Sequence, residues 1–108
     1  MISTHVLDIA RGAPASGVDV LLEARDGAGW TTIGRRTTDQ QGRIASFGDA
    51  PVAAGTYRLT FDTGAYHQRH GIVPFFPSVV VTFDTREERH HHLPLLLSPY
   101  GYSTYRGT

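Results

Sequence analysis

The stretch "VDVLLEARDGAGWTTIGRRTT" at positions 18–38 decides the fold class. Its even-numbered positions from 18 to 24 are all apolar, whereas most odd-numbered ones are charged, which is the period of a strand buried on one face. The "DGAG" at 26–29 is a typical hairpin turn, and the Thr-rich segment 30–38 has strand composition. A strand, a tight turn and a second strand therefore predict antiparallel β-structure.

Short strands separated by Gly, Pro and Asp turns continue along the chain. The predicted strands cover 4–10, 18–25, 30–38, 53–63, 75–84, 92–98 and the tail from 100. The segment 64–71 does not alternate and is predicted to form one or two helical turns. This pattern is typical of an all-β sandwich, and 108 residues form a single domain, 1–108, with no room for a second core.

The composition excludes several function classes. The chain has no cysteine and a formal net charge of zero, so thiolate metal sites, disulfides and a nucleic-acid or polybasic membrane surface are not expected. All ten basic residues are arginine, which excludes Schiff-base chemistry. The first residues resemble no signal sequence and no apolar stretch could span a bilayer, so we expect a cytoplasmic protein.

Two strands carry apolar residues on the face turned away from the core. If Leu93 and its alternating partners in 92–98 face inward, then Pro94 and Leu96 face outward together with His92. The same alternation places His5 outward. An outer apolar face next to histidines indicates a subunit interface.

The histidines at 90–92 are the first candidates for chemistry. His90 and His92 share one face of a strand while His91 points the other way, and no further ligand pattern completes a metal site, so none is expected. His90 and His91 are interpreted as solvated residues after a turn. His92 and His5 fit either a structural histidine or a general base in a partly buried setting.

Two arginines are further candidates. Arg43 follows the turn at Gly42, and its fixed charge suits a developing oxyanion if it points into a cleft. Arg106 lies in the tail "YSTYRGT", whose hydroxyls and tyrosines are unusual for a frayed terminus. No Gly-x-Ser-x-Gly elbow is present, so an acylated serine is not expected.

Three segments resemble the 5-hydroxyisourate hydrolase family, the transthyretin-related enzymes of urate breakdown. They are "STHVLD" at 3–8, "TTDQQGR" at 37–43 and "HLPLLLSPYGYSTYRGT" at 92–108. The resemblance extends over the whole chain, and its most specific part is the ending, where the family has Tyr-Arg-Gly-Ser and this chain has Thr108 in the last position. The hormone carrier transthyretin lacks the histidines and this ending.

The resemblance implies a transthyretin-like sandwich of two four-stranded sheets with one short helix, assembled as a homotetramer that is a dimer of dimers, with active sites in the cleft between dimers. The family's catalytic residues correspond to His5, Arg43, His92 and Thr108. The substrate would also contact the rest of the tail: Tyr105, Arg106 and Gly107.

The implied reaction is hydrolysis of the N1–C6 amide bond of 5-hydroxyisourate to 2-oxo-4-hydroxy-4-carboxy-5-ureidoimidazoline, without a cofactor. A histidine, first of all His92, would activate the water that attacks C6, while Arg43 would stabilise the charge on the attacked oxygen. A non-enzymatic transthyretin-like carrier of a small ligand is the main alternative, and a purely structural β-module is a third.

Overall fold

The computed structural model describes residues 1–48, 52–86 and 89–107, and they form two β-sheets and one helix. The strands are β1 Ile2–Asp8, β2 Ala13–Pro14, β3 Asp19–Asp26, β4 Gly29–Thr37, β5 Arg43–Ile44, β6 Gly55–Phe61, β7 Val79–Thr85, β8 His91–Ser98 and β9 Gly101–Thr104, and the helix α1 is Thr63–Arg69. The predicted all-β sandwich with one short helix is confirmed.

The first sheet has the strand order β2-β1-β8-β9, and β5 also pairs with β1. Strands β1 and β8 are parallel, whereas the other pairs in this sheet are antiparallel. The sheet thus contains five strands where four were expected. The difference lies in β2 and β5, two-residue strands that are too short to show any alternation in the sequence.

The second sheet has the order β4-β3-β6-β7, with every pair antiparallel. Its first two strands are the predicted hairpin, and Gly27 in the connecting turn has φ +61°, a left-handed conformation that glycine adopts without steric cost. The pairing shifts between Leu22 and Glu23, a β-bulge that increases the local twist.

The core lies between the sheets and is built from the alternating apolar positions of each strand. In β8, Leu93, Leu95 and Leu97 are buried as predicted, and in β1 Val6 is fully buried. The remaining large buried side chains come mostly from the second sheet and the helix: Val18, Val20, Leu22, Leu59, Phe61, Tyr66 and Val79. The alternation therefore predicted correctly which face of β1, β3 and β8 packs inward.

The helix α1 confirms the predicted helical turns at 64–71. Asp62 caps it by accepting a hydrogen bond from the backbone N–H of Ala65. The buried hydroxyl of Tyr66 donates to the carboxylate of Asp8 at 2.8 Å, and Arg11 donates to that same hydroxyl at 3.2 Å. This network fastens the helix to the end of β1 and satisfies a buried carboxylate.

The predicted outer face of β8 needs one correction. Leu96 is half-buried, but Pro94 is buried, although its register opposite His5 places it on the outer face. Among the residues that the structure describes, no helix is long and apolar enough to cross a membrane.

Candidate functional site

The outer face of the first sheet gathers polar side chains from three strands. The parallel pairing of β1 with β8 sets Ser3 opposite His92, and the antiparallel pairing of β1 with β5 sets His5 opposite Arg43. Paired residues in a sheet project from the same face. Alternation along β1 adds Ser3 to the face of His5, so all four residues form one surface, here called the histidine face.

A tight turn places Arg43 on this surface. The carboxylate of Asp39 accepts hydrogen bonds from the backbone N–H groups of Gln41 and Arg43, at 2.8 and 2.9 Å. Both bonds lower the pKa of Asp39, and the bond from Arg43 has the larger effect. Gly42 has φ +76°, and a Cβ there would come within 2.3 Å of the carbonyl oxygen of Val6. Only glycine lets the turn approach β1 so closely.

The imidazole of His5 has a defined orientation. Its Nε2 lies 2.8 Å from the carbonyl oxygen of Gln41, which can only accept a hydrogen bond. Nε2 must therefore carry a proton, and in the neutral ring Nδ1 keeps its lone pair. The turn that positions Arg43 thus also fixes the tautomer of His5.

The imidazole of His92 is half-buried, and its Nδ1 is hydrogen-bonded. Its Nδ1 lies 2.7 Å from the hydroxyl oxygen of Ser3, and the same oxygen lies 2.7 Å from Nε2 of His90. The two imidazole rings are nearly parallel, with an interplanar angle of 25° and centroids 6.4 Å apart. Ser3 therefore joins two histidines that the chain sets two positions apart.

The environment of His92 favours its neutral form. Burial lowers the pKa of His92 below the ordinary value, because a charged imidazole loses water there. The positive charge of His90 lowers this pKa further, as do those of Arg43 and His5. A neutral imidazole with one nitrogen free is the form that accepts a proton from water.

The C-terminal tail returns to His92. The backbone N–H of Gly107 donates to the carbonyl oxygen of His92 at 2.7 Å, in an isolated antiparallel bridge. A Cβ at Gly107 would lie 2.6 Å from Cδ2 of the His92 ring. The tail therefore packs directly against the imidazole, and a larger residue at this position would displace one or the other.

Tyr105 and Arg106 border a cavity of about 470 Å³ beside His92. The cavity opens between β7 and the ends of β8 and β9, and its other walls include Phe83 and Arg86. Tyr105 and Arg106 are both exposed. The structure brings them to His92, but no described contact joins them to His5 or Arg43.

Most of the predicted site residues converge on one surface. His5, Arg43, His92 and Gly107 lie together, and Tyr105 and Arg106 border the cavity beside His92. The predicted Thr108 lies outside the described residues. The interpretation of His91 as solvated is wrong: it is only 7% exposed, because alternation turns it toward the interior when His92 faces outward.

The sequence patterns did not identify Ser3 as a site residue, nor its contact with His90. His90 is exposed, as a solvated residue would be, but its ring is hydrogen-bonded to Ser3. Alternation could have placed Ser3 beside His5, and His90 beside His92, but the contact between the two strands depends on a register that no local pattern reveals. Over the described ranges, no group of three or more potential ligands is arranged to hold a metal.

The family model described as HIUase/Transthyretin matches residues 2–107. The chain belongs to this family. The 5-hydroxyisourate hydrolase of Salmonella dublin is 46% identical over 110 residues, which cover 100% of this chain and 81% of that protein. The predicted resemblance is thereby confirmed.

Two solved structures of family members have the same fold. The Klebsiella pneumoniae 5-hydroxyisourate hydrolase superposes with a TM-score of 0.89 at 46% identity, covering 99% of this chain and 98% of that one. Transthyretin from Sparus aurata superposes with a TM-score of 0.90 at 35% identity, covering 98% and 95%. The fold is therefore shared by hydrolases and a transthyretin alike, so the distinction between them has to come from the site.

Proposed function

We propose that this protein hydrolyses 5-hydroxyisourate, and that the histidine face is where it does so. The single observation that carries this proposal is the meeting of His5, Arg43 and His92 on one outer surface. A half-buried neutral imidazole beside a fixed guanidinium charge suits attack of water on a carbonyl. The hydrolases of Salmonella and Klebsiella support this reaction class.

In the proposed mechanism, His92 takes a proton from water through Nε2 while the water oxygen bonds to C6. The lowered pKa of His92 keeps its imidazole neutral at neutral pH, and donation from Nδ1 to Ser3 would leave Nε2 free. The C6–N1 bond then breaks, N1 receives the proton from His92, and the new carboxyl group ionises. A positioned base of this kind contributes about 10²–10⁴-fold to the rate.

Arg43 would stabilise negative charge on the substrate, and His5 would orient the substrate ring. The guanidinium of Arg43 is always protonated and can donate two parallel hydrogen bonds to a planar, urate-like ring. It would stabilise the oxygen on C6 as that atom becomes an oxyanion. His5, held through Nε2 by Gln41, would orient the ring from the other side.

The tail would complete the site. Gly107 holds the chain against His92, and Tyr105 and Arg106 at the neighbouring cavity would bind the far part of the substrate. The hydroxyl of Thr108 would contact the substrate or the attacking water. We propose no cofactor, because water is the nucleophile and protein side chains supply both the base and the positive charge.

We also propose that the protein acts as a homotetramer, a dimer of dimers. β7 and β9 are the end strands of their sheets and border the same cavity, and Phe76, just before β7, contacts the ring of Tyr102 on β9. An open strand edge pairs readily with a second copy. Leu7 and Leu96 are half-buried on the histidine face and would be covered when two such dimers meet.

The alternative is a non-enzymatic carrier that binds a small ligand in the same inter-dimer cleft. The structural likeness to Sparus aurata transthyretin favours it as the second candidate. A carrier needs no base with a lowered pKa next to three further basic groups, so the charge arrangement favours the hydrolase. We propose that the enzyme lies in the cytoplasm, which cell fractionation would test.

The test is to generate 5-hydroxyisourate from urate with a uricase and follow its ultraviolet decay with and without this protein. We expect the protein to accelerate decay, and His92→Ala to lower that acceleration by about 10²–10⁴-fold. His70→Ala removes an exposed histidine at the end of α1 and is the matched control. Light scattering on each variant verifies the oligomeric state.

Full activity in a folded, tetrameric His92→Ala variant would exclude His92 as the base. If the wild-type protein leaves the decay rate unchanged, the carrier becomes the better description. Titration calorimetry with urate-like and phenolic ligands would then test that carrier directly.

A further inference from the structure

Behind His92, on the side facing away from the proposed substrate, a hydroxyl connects it to His90. The Ser3 oxygen lies 2.7 Å from Nδ1 of His92 and 2.7 Å from Nε2 of His90. A serine hydroxyl has one hydrogen to donate, so one ring nitrogen must donate to it while the other accepts from it. The chain of three groups is therefore directional and has two states.

In one state, His92 donates from Nδ1 to Ser3, and Ser3 donates to His90. This state leaves Nε2 of His92 free, as a base requires. In the other state, His90 donates to Ser3 and Ser3 donates to Nδ1 of His92, so that Nε2 of His92 carries a hydrogen, as an acid requires. Moving one proton across each hydrogen bond, together with the uptake of one proton at Nε2 of His92, converts the first state into the second.

The surroundings determine where positive charge is most stable within this chain. His92 is half-buried, and three basic groups disfavour a positive charge on it: His5 on β1, Arg43 on β5 and His90 before β8. The nearby carboxylate of Asp39 is bonded to backbone N–H groups of its own turn. His90 is exposed, so water solvates a charge there better than at His92.

We propose that Ser3 and His90 form a proton relay behind His92 and hold the withdrawn proton during the reaction. This proposal rests on the proposed hydrolysis. When His92 takes a proton from water at Nε2, its Nδ1 proton passes to Ser3, and the Ser3 hydroxyl proton passes to His90. The positive charge then lies on exposed His90 while the tetrahedral intermediate exists.

The relay runs backwards when the C6–N1 bond breaks. His92 gives its Nε2 proton to N1, His90 returns a proton to Ser3, and Ser3 returns one to Nδ1 of His92. All three groups regain their starting protonation, and the proton taken from water has moved to the leaving nitrogen. In this relay Ser3 and His90 contact neither the substrate nor the attacking water, so they are positioning residues that act through His92.

The experiment compares Ser3→Ala, His90→Gln and His90→Leu with two controls. Glutamine places an amide oxygen near the position of Nε2 and can accept from Ser3, but it cannot hold the proton. Thr4→Val removes a buried hydroxyl that bonds Leu93 across the same strand pair on the inner face, and His70→Gln removes an exposed histidine elsewhere. The controls should retain wild-type kcat.

We expect kcat to fall by about 10–100-fold in Ser3→Ala, His90→Gln and His90→Leu, as for other partners that orient a functional histidine. The dependence of kcat on the fraction of D₂O should be curved for the wild type, as for several protons in transfer. It should be linear for His90→Gln, as for a single proton. The acid limb of kcat/KM should move to higher pH in His90→Gln, because a positive neighbour of His92 is lost.

Two outcomes overturn the relay. One is wild-type kcat in Ser3→Ala or in His90→Leu. The other is a reduced kcat in His90→Leu together with a wild-type kcat in His90→Gln. That result would mean that His90 only orients the Ser3 hydroxyl and holds no proton. If the wild type does not hydrolyse 5-hydroxyisourate at all, the proposed function fails separately.

The ¹⁵N NMR chemical shifts of the His90 and His92 imidazoles test the relay in the absence of substrate. The relay requires that protonation of His90 changes the tautomer of His92, and that Ser3→Ala abolishes this coupling. Independent titration of the two rings in the wild type would overturn it.

Discussion

The outer faces of the two sheets carry polar side chains at equivalent strand positions, yet their chemistry differs. On the second sheet, Arg58 donates to the carboxylate of Glu23 at 2.7 Å and lies 4.2 Å above the ring of Trp30. On the histidine face, positive groups gather next to a half-buried imidazole, and the pKa of His92 falls. One face pairs opposite charges across strands, and the other brings like charges together.

This difference shows what distinguishes a candidate site from a solvated surface in a β-sandwich. Alternation alone makes both faces polar, and a cross-strand ion pair such as Glu23–Arg58 stabilises the sheet modestly. Like charges around a partly buried group cost folding energy, so their presence calls for a functional reason. The predictions below test this contrast.

The largest effect is expected on replacing the fixed charge of the histidine face. Arg43→Gln should lower kcat/KM by about 10²–10³-fold, because a donor to the developing oxyanion is lost. Arg35→Gln makes the same change at an exposed position of β4 and should leave kcat/KM unchanged. Steady-state decay of 5-hydroxyisourate measures both, and equal activities would remove Arg43 from the mechanism.

The next effect concerns the contact between the tail and His92. Gly107→Ala should lower kcat/KM by up to about 10²-fold, because the new Cβ would lie 2.6 Å from Cδ2 of His92 and displace the ring or the tail. Gly29→Ala, where the nearest atom is 3.7 Å away, serves as the control. Wild-type kinetics in Gly107→Ala would show that the tail can move away without cost.

The pH dependence follows from the lowered pKa of His92. Neutral His92 is the base, so the acid limb of kcat/KM should lie below the ordinary histidine value of about 6.5. In Arg43→Gln the residual activity should show this limb at higher pH, since a positive neighbour is removed. A limb at or above 6.5 in the wild type would contradict the environment described for His92.

The lowered pKa of His92 also makes the free energy of unfolding depend on pH. Its pKa is lower in the folded than in the unfolded chain, so the unfolded state binds more protons once the pH falls below about 6.5. This contribution to the free energy of unfolding is therefore lost on acidification. Urea titrations of the wild type and His92→Gln at several pH values would measure it.

The smallest expected effect is on stability and concerns the ion pair between Glu23 and Arg58 on the second sheet. A double-mutant cycle with Glu23→Gln and Arg58→Met should give a coupling of about 0.2–1 kcal/mol, because the pair is partly solvated, with side chains 12% and 32% exposed. Urea denaturation measures it, and hydrolysis should be unaffected. A loss of hydrolysis in either single variant would remove the contrast between the two faces.

Much of the fold could be predicted because the long strands alternate clearly. The inward faces of β1, β3 and β8 and the helical segment were predicted correctly from local patterns. The two-residue strands β2 and β5 were not, since their pairing with β1 is set by the turns around them rather than by periodicity. The burial of Pro94 depends on neighbouring strands and was missed for the same reason, whereas the burial of His91 follows from alternation with outward-facing His92.

The sequence by itself determined the alternation that turns His5 and His92 outward, the need for glycine in the tight turn before Arg43, and the family. Only the tertiary structure decided that Ser3 lies between His90 and His92, and that Gly107 packs on the His92 ring. Ser3 and His92 are 89 positions apart. Such contacts arise from the register of a parallel strand pair, which local side-chain chemistry does not encode and which packing of the whole sandwich fixes.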